Sequence, residues 1–347
     1  MLINKHLYLL ILLSFFSGCA KTMYLTKQAS GQIALEWNGI DNEQVLSDSS
    51  VSDEHKRKIK LIQKYKNYFY KYFKKEKTSI YDETTFLKTK AVTYLVIASP
   101  KDKIKPIIFN FPIVGSFPYI GFFDLDDAKE FQNDRSEEGL STYIRPVYAY
   151  STLNKLPFYD NILSSFFYYD DEKLAELIFH ELTHTIFFIE DEISLNESLA
   201  EVISKYMVYE YFHKSELEIS KIKNSYTRMK KISKKITSLT HQLSDEYKKS
   251  EDFEKTLKLF IEQKFRPEIS TQCKELQIPK CWPLKGEWNN ARFSAFLTYQ
   301  KNQNLFENIK VQKNLSVKAL LSYIVEEYKQ YKDKDLDHTF KVYLEKK

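Results

Sequence analysis

Glycine and proline are scarce in this chain, with 7 Gly and 9 Pro among 347 residues. Because these residues form many of the turns in proteins, their scarcity, together with many Lys, Glu and Leu, predicts long helices. The hydrophobic content of 43% is enough to bury one sizeable core, and it excludes disorder as the default state. We therefore expect a mostly helical α+β protein.

A long apolar run is missing as well. Residues 7–16 are almost wholly apolar and follow the positive charge of Lys5, but a membrane-spanning helix needs about 20 apolar residues. This length is typical of a signal peptide, and the next segment, Phe16-Ser17-Gly18-Cys19, resembles the cleavage site of a bacterial lipoprotein. The resemblance implies removal of residues 1–18 and acylation of Cys19, which would anchor the mature chain to a membrane. A simple secretory signal with an incidental cysteine is the alternative.

The residues after Cys19 bear on which membrane is involved. Ala20 and Lys21 carry no acidic retention signal. We therefore expect a lipid-anchored protein of the bacterial cell envelope, on the outer membrane and facing the periplasm.

Cysteine is rare too, because the chain has only Cys273 and Cys281 besides Cys19. Structural zinc sites usually contain closely spaced cysteine pairs, so this single wider pair is not assigned as metal ligands. In an oxidising compartment, two nearby thiols commonly pair. We expect a disulfide, with two free thiols as the alternative.

No charge of one sign dominates, since 52 Lys and Arg stand against 47 Asp and Glu, a net +5. No recognisable nucleic-acid motif accompanies this small excess, so we predict no nucleic-acid partner. In the lysine-rich segment 56–77, Ile59, Ile62 and Tyr65 recur at helical spacing. This pattern predicts an amphipathic helix whose lysines face solvent.

The chain shows no repeat and no clear linker, so we predict one domain over residues 19–347. Its parts would be an α/β part with a small sheet (19–170), a helical core (171–213) and a helical C-terminal half (214–347). Residues 41–53 are expected to form a loop, with Ser52 as the N-cap of the next helix. The predicted strands are 91–99, 105–111 and 141–150, and the further predicted helices are 126–133, 194–213, 216–249 and 289–301.

The most informative segment is HELTH, from His180 to His184. An HExxH sequence on a helix places two imidazoles one turn apart on one face, where both can bind the same zinc ion. The carboxylate of Glu181 then lies beside the metal and can take a proton from a bound water, whose pKa the ion lowers to about 7. The alternative is two surface histidines with Glu181 in ordinary ion pairs.

A catalytic zinc site needs a third protein ligand. The segment 196–201 (NESLAE) resembles the NExxSD segment of thermolysin-like gluzincins, and the resemblance implies that Glu197 binds zinc while Glu201 steadies a ligand histidine. Ser194 to Glu197 also matches a capping box, in which Glu197 would bind backbone and no metal. The turn after His184 is short, and its acidic residues are fallback ligands: Glu190, Asp191 and Glu192.

A wider set of segments is similar to the bacterial family named putative aminopeptidases, whose members are predicted lipoproteins of Gram-negative envelopes. The resemblance implies a metallopeptidase with one zinc held by His180, His184 and Glu197, and with Glu181 as base. The family has cysteines on both sides of its Phe-Pro-x-x-Gly loop, where this chain has Asn110 and Ser116. The similar segments are 24–35 (YLTKQASGQIAL), 111–124 (FPIVGSFPYIGFFD), 145–153 (RPVYAYSTL), 177–201 and 289–299 (NNARFSAFLTY).

A zinc hydrolase also needs a group that stabilises the charge developing on the attacked carbonyl oxygen. We assign this catalytic role to Tyr150. The strand predicted at 141–150 could also lie along the cleft and pair with an extended peptide. The further candidates for substrate binding are Arg145, Tyr148, Asn290, Arg292 and Tyr299.

The sequence thus predicts a gluzincin-like zinc metallopeptidase that hydrolyses peptide bonds outside the cytoplasm. The aminopeptidase label comes from the resemblance. One alternative is a non-catalytic envelope lipoprotein that keeps a structural zinc site and binds a protein partner. Another is a hydrolase of cell-wall peptides or of a different amide.

Overall fold

The computed structural model describes residues 24–111, 115–149, 160–190, 192–298, 305–334 and 338–347. The predicted signal peptide, Cys19, Tyr150 and Tyr299 lie outside these residues. Helices account for most of the described chain, and they are α1 (residues 24–37), α2 (Asn42–Ser47), α3 (Asp53–Phe73), α4 (Leu125–Glu137), α5 (Asp171–Ile186), α6 (Ile193–Tyr211), α7 (Glu216–Tyr247), α8 (Phe253–Phe260), α9 (Arg266–Glu275), α10 (Asn290–Thr298), α11 (Leu305–Gln312), α12 (Val317–Lys332) and α13 (Phe340–Glu345).

The strands are short and form three small sheets within the described residues. They are β1 (Ile40–Asp41), β2 (Glu83–Thr85), β3 (Thr93–Ser99), β4 (Phe109–Phe111), β5 (Gly115–Phe117), β6 (Ile120–Phe122), β7 (Ser141–Val147) and β8 (Ile162–Leu163). In one sheet β3 lies between β6 and β7, with both pairings antiparallel. In another, β2 pairs antiparallel with β1 and parallel with β8, and β4 and β5 form an antiparallel pair. The predicted class, α+β and mostly α, is confirmed.

Two predicted elements are partly wrong. The strand expected at 105–111 is present only as Phe109–Phe111, and Pro106 in its first half has no N–H to donate to a ladder. The loop expected at 41–53 contains α2, because the Asp41 side chain accepts from the backbone N–H groups of Glu43 and Gln44 at 2.8 and 3.4 Å and caps that helix. The predicted N-cap at Ser52 is confirmed by its bond from the His55 N–H, at 3.3 Å.

The contacts of the chain divide it into two compact units, and the single domain expected from the sequence stays a prediction. Of the described residues, those within 1–37, 91–148 and 225–300 form the sheet unit, and those within 38–90, 149–224 and 301–347 form the motif unit. Each unit is assembled from three separate stretches of the chain.

The sheet unit packs α4 and α10 against β3 and β7. Its largest apolar cluster includes Ile232, Phe265 and Trp288, from α7 to the segment before α10. A disulfide joins Cys273 and Cys281 at the edge of this cluster, with an S–S distance of 2.07 Å.

The core of the motif unit forms where α3, α5 and α6 pack together. The segment that we predicted as an amphipathic helix, 56–77, supplies the buried side of α3. Aromatic rings link the helices: Tyr65 of α3 lies 5.9 Å from Phe179 of α5 and 5.3 Å from Tyr211 of α6, between ring centroids. The fully buried apolar residues of this core include Ile59, Ile62, Phe69, Leu174, Ile178, Leu182, Leu199, Ile203 and Met207.

Within the part of the chain that the structure describes, we find no helix with the length and apolar character required to cross a membrane.

Candidate metal centre

Helix α5 carries the HExxH sequence, and its ends are well defined. Asp170 caps its N-terminus by accepting from the Lys173 N–H at 2.8 Å, and Asp171 and Glu172 place negative charge in the first turn, which favours helix formation there. One face of α5 is buried in the core of the motif unit. Residues 176, 180 and 184 recur every four positions on another face, so that one glutamate and two histidines are aligned.

Helix α3 holds α5 at both ends. Near the start of α5, Asp171 accepts two hydrogen bonds from Arg57, at 2.8 and 3.0 Å, and one from the ammonium of Lys58 at 2.8 Å. Near its end, the Tyr70 hydroxyl bonds the Thr185 hydroxyl at 2.9 Å. The backbone that carries both histidines is therefore fixed from outside the helix.

The connection between α5 and α6 is short, residues 187–192, and a buried asparagine shapes it. The Asn196 amide accepts from the Ile189 N–H at 2.8 Å and donates to the Ile189 carbonyl at 2.7 Å and to the Glu192 carbonyl at 3.2 Å. Because one side chain satisfies both backbone groups of Ile189, the chain reverses at a fixed point. This places the first turn of α6 beside the last turns of α5.

Glu197 therefore faces both histidines. Its two carboxylate oxygens lie 3.2 Å from His180 Nε2 and 3.5 Å from His184 Nε2, and one ligand atom from each of the three residues can be chosen so that all lie within 4.8 Å of one another. A tetrahedral ion with donors at about 2.0–2.1 Å holds them about 3.4 Å apart. The donor set and its spacing fit a zinc ion.

The contacts of the acidic residues near this turn bear on their alternative roles. Helix α6 begins with Glu192 as N-cap, without a side-chain cap bond, and Glu197 bonds His180 instead, so the capping box is absent. Glu190 pairs with Lys332 at 2.9 Å, and Asp191 lies outside the described residues.

The pKa values of His180, His184 and Glu197 are shifted in different directions. Burial lowers the pKa of His180, but the hydrogen bond to Glu197 and the negative charges of Glu181 and Glu201 outweigh it, so this pKa lies above its usual value. Burial and the positive charge of His180 lower the pKa of His184 to about 4. The hydrogen bond from His180 holds the pKa of Glu197 below its usual value. Glu197 thus favours the protonated form of His180, while burial and the charge of His180 favour the neutral form of His184.

The sequence model of the family described as "Putative aminopeptidase" matches residues 23–337. The chain belongs to this family. Membership supports a peptidase-like function. No curated protein and no solved structure matches the chain.

In this aminopeptidase-family chain, the HExxH glutamate is buried. Glu181 is 8% exposed, and its negative charge acts on His180 and on the buried Tyr81. Tyr81 itself has φ +63°, a left-handed conformation that is uncommon for an aromatic residue. Backbone bonds to Asp160 and Asn42, at 2.8 and 2.9 Å, hold it there.

Two further carboxylates lie on the same faces, one turn from the ligands. Glu176 precedes His180 on α5, and Glu201 follows Glu197 on α6. Burial raises the pKa of each, and each interacts electrostatically with His180. Among the described residues no hydrogen bond joins Glu201 to His180, so its influence on that ring is electrostatic. Sequence reasoning missed Glu176, although its position four residues before His180 could have indicated it.

The described residues that were predicted to bind substrate belong to the sheet unit, and the candidate metal ligands belong to the motif unit. Arg145 lies in β7 opposite Leu95 of β3, and Tyr148 is 43% exposed. Asn290 is fully buried, where its amide donates to the Pro100 and Lys101 carbonyls.

Arg292 has structural contacts of its own. It donates to the Glu287 carbonyl at 2.6 Å and stacks over Trp288 at 4.5 Å. Asn290 and Arg292 thus both make contacts that stabilise the packing of the sheet unit. Their role in substrate binding stays a prediction.

Proposed function

We propose that the chain is a zinc-dependent metallopeptidase of the bacterial envelope, with one zinc held by His180, His184 and Glu197. The convergence of two imidazoles and one carboxylate on a single point carries the proposal. Two histidines and a glutamate are the ligand set of several zinc peptidases. The family to which the chain belongs supports the peptidase part.

The proposed mechanism gives each side chain near the centre a separate task. When bound, zinc supplies Lewis acidity, which lowers the pKa of water and polarises a carbonyl group. Glu181 takes the proton of the attacking water and delivers it to the nitrogen of the leaving amine. Glu201 places a carboxylate near His180, where it acts electrostatically on that ring. Tyr150 would stabilise the carbonyl oxygen as its negative charge grows.

The aminopeptidase part requires a group that holds the free α-amine of the substrate. Glu176 and Glu201 place two carboxylates beside His180, and an ammonium ion is the natural counter-ion for such a pair. Peptides with a free N-terminus should therefore be cleaved faster than the same peptides with an acetylated N-terminus.

The location is part of the proposal. Cleavage before Cys19 and acylation of its thiol would hold the enzyme at the outer membrane, where it faces the periplasm and acts on peptides there. Mass spectrometry of the membrane-extracted protein tests this, because the N-terminal tryptic peptide should carry the lipid.

The experiment that tests the function replaces one ligand. His184→Ala should lower the zinc content from about one ion per chain to near zero and abolish cleavage of a peptide library. His241→Ala changes an exposed histidine of α7 and should leave both unchanged. Retention of stoichiometric zinc by His184→Ala would contradict the ligand set.

A native chain that binds zinc and unfolds on its removal, but cleaves no peptide, would favour a structural zinc site in a partner-binding lipoprotein.

A further inference from the structure

The sheet unit contains a pocket of about 730 Å³, within the range of small-molecule sites. We call it the aromatic pocket. It lies between α1, the β4 strand, the β6 strand and α4, all within the sheet unit. Its apolar walls come from seven residues: Tyr24, Ile108, Phe109, Phe111, Ile120, Phe122 and, on α4, Phe131.

The walls are mostly ring faces and edges. Tyr24 stacks on Phe111 at 5.4 Å between centroids, and Phe131 lies 5.4 Å from Phe122 and 5.9 Å from Phe109. The Tyr24 hydroxyl donates to the Gly121 carbonyl at 2.9 Å, and burial raises its pKa to about 12. Tyr24 is therefore a fixed, neutral wall, and it attaches α1 to the sheet.

The charged residues around the pocket do not balance. Lys27 pairs with Asp127 at 3.0 Å, and Arg135 pairs with Glu138 at 2.7 Å. Glu130 and Asp134, one turn apart on α4, also line the pocket, and neither carboxylate has an ion-pair partner among the described residues. Two exposed carboxylates thus line an aromatic cavity.

We propose that the aromatic pocket binds an amphiphilic cation, an aromatic or large aliphatic group that carries an ammonium or guanidinium a few atoms away. The apolar group would fill the cavity, where ring faces attract the positive charge, and the cation would lie at Glu130 and Asp134. Free arylalkylamines and peptides with an aromatic residue next to lysine share this chemistry. The proposal concerns binding in the sheet unit and is independent of peptide hydrolysis.

The test compares three probes of one shape and different charge in ligand-observed NMR with the full chain: 2-phenylethylamine, 2-phenylethanol and 3-phenylpropionate. We expect the amine to bind most tightly and the carboxylate least tightly. In Glu130→Gln/Asp134→Asn the amine should bind roughly three- to tenfold more weakly, since each exposed charge pair contributes little. Binding of the neutral alcohol should not change.

The control variant removes two negative charges from α4 at positions that do not line the pocket. Asp126→Asn/Glu137→Gln lowers the negative charge of α4 by two but alters no residue that lines the cavity, so amine binding should persist. An equal loss in this control, tighter binding of 3-phenylpropionate, or no saturable binding of any probe would overturn the proposal.

A last arm distinguishes the sources of the cation. Acetyl-Phe-Lys-amide, whose α-amine is blocked, is titrated into the Glu181→Gln chain so that cleavage cannot interfere. If acetyl-Phe-Lys-amide binds more tightly than 2-phenylethylamine, the ligand is a peptide. If it binds more weakly, the ligand is a small amine. Failure of peptidase activity would leave both measurements unaffected.

Discussion

At the scale of single residues, Glu197 opposes the effect of burial on the pKa of both histidines. It binds His180 directly at 3.2 Å, and its negative charge opposes the burial that lowers both imidazole pKa values. Because metal binding requires neutral imidazole, protons compete with zinc at His180 more strongly than at His184. Zinc affinity should therefore fall as pH drops through the His180 pKa, which lies above 6.5.

Histidine titrations followed by NMR in the chelated chain check this assignment. His180 should titrate above pH 6.5 and His184 near pH 4. Glu197→Gln removes the hydrogen-bonded charge and leaves the burial, so it should lower the pKa of His180. A His180 that titrates below His184 would contradict the assignment.

Sequence spacing predicted the ligand residues because helical periodicity alone places residues 180 and 184 on one face. It could not decide between metal ligand and capping box for Glu197, since that choice depends on where α6 begins. The role of Asn196 was also inaccessible, because its partner Ile189 has no sequence signal. The sequence also did not show that Asn110 and Ser116 are partners. They lie opposite each other in β4 and β5, and the Ser116 hydroxyl donates a hydrogen bond to the Asn110 side chain at 2.5 Å.

At the scale of elements, the geometry of the centre depends on the connection between α5 and α6. Six residues reverse the chain, and Asn196 satisfies the backbone of Ile189 from inside the first turn of α6. Since Asn196 is 1% exposed, removing its amide leaves buried backbone groups without partners.

Asn196→Ala should lower the free energy of unfolding by about 1–3 kcal/mol and weaken zinc binding, because Glu197 loses its fixed position. Denaturant unfolding and zinc competition titrations measure the two effects. Asn133→Ala, an exposed position on α4, should change neither. A variant of Asn196 with unchanged zinc affinity would show that the turn does not position Glu197.

At the scale of the whole molecule, the centre and the disulfide belong to different compact units. Composition predicted the helical class, because scarce glycine and proline allow long helices such as α7. It could not predict two units, since each is built from three distant stretches of chain that no linker separates.

Hydrogen exchange distinguishes the stabilisation by the proposed metal from the stabilisation by the disulfide. Chelation should increase exchange in α5 and α6, since a bound ion stabilises the form that holds it. Reduction of the disulfide between Cys273 and Cys281 should increase exchange in α9, with a loss of roughly 2–3 kcal/mol for a loop of this size. Unchanged exchange in α5 and α6 after chelation would argue against a metal at this site.

The proposed hydrolysis of peptide bonds requires both zinc and Glu181. The most direct measurement is the zinc content and peptide turnover of the native chain and of Glu181→Gln. We predict about one zinc in both, and turnover in the variant reduced by about 10²–10⁴-fold, the usual contribution of a general base. Equal turnover in both forms, or zinc in both with no cleavage of any peptide by the native chain, would contradict the claim.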